Sequence, residues 1–131
     1  MNINAQNRES SLLDFTLLKY EELLHALLDM KIFTVASYLE KRPKLNFAIL
    51  RHDIDRKPMS ALRMAELEHE LGICSTYYIR FVKEVFKPEI IRKICDLNHE
   101  VGYHYEVLSR AKGDYEKAFK LFEYELSEFS V

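Results

Sequence analysis

The feature that most constrains this chain is an alternation of short apolar runs with helices that open on proline. Phe47-Ala48-Ile49-Leu50 is continuous and apolar, as a strand buried on both faces reads. Pro58 suits the first turn of a helix. Ala61, Met64, Leu67 and Leu71 form its apolar stripe, and Gly72 is a natural stop. Ile73 to Phe81 reads as a second strand, because Thr76, Tyr77, Tyr78 and Ile79 are strong strand formers. Pro88 opens the next helix, with Ile90, Ile91, Ile94 and Leu97 inward and Asn98 at its end. His99 to His104 reads as a third strand, short and polar. After Gly113 a last helix is expected to bury Tyr115, Ala118, Phe119, Phe122, Leu126 and Phe129 on one face. Ahead of all this, a helix from about Thr16 groups Leu17, Tyr20, Leu24, Leu27 and Leu28, and Ile32 to Val35 is a short apolar run. Strands that alternate with helices imply a parallel sheet with right-handed crossovers, an α/β class.

The 131 residues suit one domain. Residues 1–14 are polar and read as a loosely ordered or disordered N-terminus, leaving 15–131 as the folded unit. A net charge of -2 with interspersed signs gives no electrostatic support to a nucleic-acid partner. No stretch reaches the roughly 20 apolar residues of a membrane span. The N-terminus lacks the apolar core of a signal peptide, so a cytoplasmic location is expected. Cys74 and Cys95 read as small buried hydrophobes in a reducing compartment. Three or four parallel strands cannot close a barrel, and no strand follows the last helix. An unpaired edge is therefore expected, so that the chain is a portion of a longer domain, or self-associates through that edge as an interaction module, or is only marginally stable.

Reactive groups in β/α folds collect at the carboxyl ends of strands. There the first strand runs into Arg51-His52-Asp53-Ile54-Asp55, and the third ends in Gly102-Tyr103-His104. Two carboxylates and an imidazole meeting on one face suit a divalent metal. One carboxylate and the histidine can bind the ion while the other carboxylate takes a proton from water. Gly102 would let a ligand or another backbone come close. His52 is expected behind the site. His99 and Glu106 are candidate extra ligands, Glu100 is a candidate for a supporting hydrogen bond, and Arg80 could hold an anionic substrate group or pair with an acid.

At these residues the sequence resembles the polysaccharide deacetylase family, the NodB-homology domain of carbohydrate esterases. Arg51-His52-Asp53-Ile54-Asp55 fits an Asp-x-Asp form of its first motif. Asn98-His99-Glu100-Val101-Gly102-Tyr103-His104 fits a Gly-His-Glu-x-Gly-x-His motif, with Asn98 for the first Gly. The resemblance spans about Leu45 to Val131. It implies the N-terminal portion of a seven-stranded, irregular (β/α) barrel. It also implies Asp53 as catalytic base, Asp55 and His104 as ligands of zinc or cobalt (manganese or iron as alternatives), and hydrolysis of an amide in an N-acylated sugar or related small molecule. The family's second histidine falls on Leu108, so a catalytically degenerate domain with a structural or binding role is the competing expectation.

Overall fold

The structure is a computed structural model that describes residues 15–130. Helix α1 (Leu17–Leu27) leads into strand β1 (Lys31–Phe33) and helix α2 (Val35–Lys41). Strands β2 (Phe47–Ile49) and β3 (Arg51–Ile54) follow almost without a break, then helix α3 (Pro58–Glu70) and strand β4 (Thr76–Arg80). Helix α4 (Pro88–Asp96), strand β5 (Glu100–His104), the short helix α5 (Val107–Arg110) and helix α6 (Tyr115–Glu128) complete the order. All pairings are parallel, in a two-stranded sheet β1-β2 and a three-stranded sheet β3-β4-β5. The α/β class and parallel pairing hold. Among the described residues there are five strands rather than three, and they do not close a barrel.

Local chemistry sets the element ends. Thr16, Thr34 and Asp114 cap α1, α2 and α6 by accepting from Lys19, Ser37 and Lys117 amides. Pro58 and Pro88 occupy first turns, where a missing N–H costs nothing. Helix α3 ends at Gly72, whose φ of 73° is a left-handed stop that glycine takes without strain.

The strand pattern divides the sheet into two faces. Ile54, Tyr77 and Ile79 face α3 and α4, building a core with Ala61, Leu62, Ala65, Ile90 and Ile94. Tyr20 and Leu24 of α1 join Ile73 in a neighbouring cluster. The sequence expectation for α1 is narrowed, since Leu17 and Leu28 are exposed. Cys95 also departs from expectation and is exposed. It lies one step past Ile94, about 100° around the helix from the buried row.

Four polar side chains gather inside the helix-covered face around Glu68, which is fully buried. The hydroxyls of Tyr20 and Tyr77 donate to its carboxylate, and His52 Nε2 lies 2.6 Å from Oε1. Burial alone would push the Glu68 carboxyl up, but His52 and the two hydroxyls outweigh it and hold the group below its ordinary value. His99 completes the cluster. Its Nδ1 accepts from the Ser75 amide at 3.0 Å and its Nε2 donates to the Ala65 carbonyl at 2.8 Å. Burial pushes its pKa down, which the Ala65 bond opposes only in part.

Helix α6 departs most from the sequence pattern. Ala118 and Glu125 are buried, Phe122 and Phe129 are half-buried, and Tyr115, Phe119 and Leu126 are exposed. The cause is Glu125, which turns inward to accept from the Tyr103 hydroxyl and the Arg110 guanidinium.

Glu68→Ala would strand the buried hydroxyls of Tyr20 and Tyr77 and the half-buried His52, and is expected to cost about 3 kcal/mol or more in urea unfolding. Both depressed groups bind protons more readily when unfolded. Their stabilisation is present above the unfolded pKa and lost as pH falls. Thermal midpoints are expected to hold above about pH 6.5 and to decline below it, first through His99 and then through Glu68. A midpoint that rises on acidification would contradict this.

Candidate functional site

The opposite face of the three-stranded sheet is only partly covered. Register sets Asp53 level with Tyr78 and Gly102, and Arg80 level with His104, at the carboxyl ends of the strands. Alternation then brings Arg51, Asp53, Tyr78, Arg80, Gly102 and His104 to one face. A cleft of about 420 Å³ lies there, lined by Arg51, Tyr78, Tyr103, His104 and Tyr105.

Asp53 and His104 meet beside this cleft, which His104 lines, with Nε2 of His104 3.8 Å from Oδ2 of Asp53. Arg51 reaches the same carboxylate through Nε at 3.0 Å and a second nitrogen at 3.4 Å. The guanidinium also stands 4.6 Å from the centre of the Tyr78 ring, a cation–π contact. The Asp53 hydrogen bond and charge raise the Arg51 pKa above its ordinary value. Nδ1 of His104 is buried with no hydrogen-bond partner among the described residues.

Gly102 has a different use from the one expected. A Cβ built there would lie 2.5 Å from Cε1 of Tyr78. The approach that glycine permits is that of the Tyr78 ring, which in turn seats Arg51.

Asp55 falls beyond β3, which ends at Ile54, so strand alternation does not carry it onto the face of Asp53. His52 turns to the buried side and binds Glu68. His99 has both ring nitrogens engaged by backbone, which leaves no lone pair for an ion. Glu100 accepts from the Ala36 amide at 2.9 Å, fastening the start of α2 to β5. Arg80 and Glu106 pair with each other, Nε to Oε1, at 2.7 Å.

Carboxylate and imidazole are the right donor types for zinc or cobalt. The donor set is nevertheless incomplete. Among the described residues no group of three or more His, Cys, Asp or Glu side chains is placed to hold one ion. Leu108, at the position of the family's second histidine, is exposed and carries no donor. Tyr78 is the site residue that sequence reasoning missed. The signal was present, because Tyr78 shares the strand parity of Arg80.

In comparisons with known proteins, no family model matches the chain, and neither the curated proteins nor the solved structures give a significant match. No helix among the described residues is long and apolar enough to cross a membrane.

Gly102→Ala is expected to cost about 1–3 kcal/mol by driving the Tyr78 ring from its seat. Tyr78→Ala should remove most of that penalty when combined with it. Additive losses in this double-mutant cycle would show that the ring does not set the need for glycine.

Proposed function

We propose that this open face is the water-activating half of an amide hydrolase of the deacetylase type, acting on an N-acylated sugar or a related small molecule. The observation that supports it most is the meeting of Asp53 and His104 across β3 and β5, at strand ends and above a cleft. Parallel α/β sheets keep their reactive groups at that end.

In this reading Asp53 takes a proton from a water in the cleft as the water oxygen attacks the acyl carbon. Arg51 keeps the carboxylate oriented and ionised. The proton that Asp53 takes is returned to the amine nitrogen as the C–N bond breaks, which leaves the free amine and the carboxylic acid, while His104, 3.8 Å from the same carboxylate, helps to position it. The closed strands and later motifs of a full deacetylase barrel belong to this proposal, as does a divalent ion on Asp55 and His104. The donors now in place do not by themselves make up such a centre.

A second reading is favoured by the Arg51 pair and by Leu108: a deacetylase-like domain that binds an acylated ligand without turning it over. In that case Arg51 permanently occupies the carboxylate that a base needs free.

The two separate by experiment. Acetate release from N-acetylated amino sugars is followed with and without added zinc or cobalt, beside native mass spectrometry. Hydrolysis that falls by about a hundredfold in Asp53→Asn supports the enzyme. Ion uptake lost in both Asp55→Ala and His104→Ala adds the metal to it. Ligand binding without turnover, unchanged by either metal, would establish the second reading and remove the first.

A further inference from the structure

The segment from Phe47 to Ile54 has two edges, and every pairing among the described residues uses the same one. The Lys31 amide donates to the Asn46 carbonyl at 3.2 Å, and the Thr76 amide to the Leu50 carbonyl at 3.0 Å. Carbonyls an even number of residues apart on an extended strand point the same way. Strands β1 and β4 therefore lie end to end along one side. The Val35 amide confirms this by donating to Oγ1 of Thr76 at 2.9 Å, where β1 would otherwise collide with β4. The amides and carbonyls of Arg51 and Asp53 consequently face the other edge, which no strand covers among the described residues.

We propose that a second copy of this chain covers that edge, antiparallel, across a two-fold axis at His52. In this register Arg51 stands opposite the partner's Asp53, and Asp53 opposite the partner's Arg51. The outward-pointing residues then form the hydrogen-bonded pairs of the ladder, with His52 at the non-bonded position between them. His52 is drawn back toward Glu68, so its ring does not crowd the axis. On the helix-covered face Leu50 meets the partner's Ile54, apolar against apolar. Both faces are preserved, because the axis is perpendicular to the sheet. The two nearest registers that preserve them set Arg51 against the partner's Arg51, or Asp53 against the partner's Asp53. Opposite charges across a ladder stabilise and like charges destabilise, so one register is selected.

The outer edge of β5 offers no equal match. Glu100, its only acid, is already committed to the Ala36 amide. Pairing at β3 gives each Asp53 a second guanidinium, so the partner copy contributes to the candidate site. The inference stands on the edge geometry and charge pattern and does not depend on the hydrolase reading.

Sedimentation velocity of the full chain is expected to give twice the monomer mass of 15.6 kDa. Arg51→Asp and Asp53→Arg each turn both cross-strand pairs repulsive. Each should weaken the dimer about tenfold or more, equivalent to about 1.4 kcal/mol. Both side chains are well exposed, at 58% and 39%, so the fold should survive, as circular dichroism checks. Mixing the two variants restores both pairings, and native mass spectrometry should then find the heterodimer in excess of either homodimer. The double variant Arg51→Asp/Asp53→Arg keeps the complementarity and should dimerise like the parent. A monomeric parent chain would overturn the proposal. So would a dimer that ignores the charge swaps, or a mixture that fails to pair.

Discussion

The buried carboxylate of Glu68 is the interaction on which the helix-covered side depends. It joins α1 through Tyr20, β3 through His52 and β4 through Tyr77, and it lies beside His99 at the entrance to β5. An ionised group without solvent survives only where its lone pairs are filled. The four elements must therefore arrive together, and small errors in their placement leave the charge exposed to an apolar surrounding. The approach of His99 Nδ1 to Glu68, at 3.7 Å, is not an ion pair in the usual sense. The ring is neutral, with its proton on the nitrogen that faces Ala65.

Strand β3 divides its side chains between the two faces of the sheet. His52 and Ile54 turn inward and hold the fold, while Arg51 and Asp53 turn outward to the open face. A substitution at Asp53 or Arg51 carries little structural penalty, whereas one at His52, a single residue away, removes the partner of a buried charge. The ion pair of Arg51 with Asp53 is half in solvent, so its value lies in orientation more than in stability.

Much of this was legible in the sequence. Proline-opened helices, the glycine stop and the β-branched and aromatic runs marked α3, β4, α4 and β5 because those signals are local. The meeting of Asp53 and His104 followed from strand ends alone. What was not legible depends on long-range partners. Glu125 turns inward because Tyr103 and Arg110 await it, and no hydrophobic count places a carboxylate in a core. His99, Arg80 and Glu106 offered metal or substrate chemistry by type, and each is taken up by a neighbour that sequence spacing does not reveal. The run from Phe47 to Leu50, continuing into Arg51 to Asp55, read as one strand. It is divided at Leu50, because β1 gives way there to β4 along a shared edge.

Helix α2 has a consequence for how the open face is held. Its first amides are fastened to Thr76 and Glu100, the residues that begin β4 and β5, and Tyr38 on its flank stacks on Phe47. The sheet is therefore tied at the end away from Asp53 and His104, so what holds the strands in place and what they display lie at opposite ends.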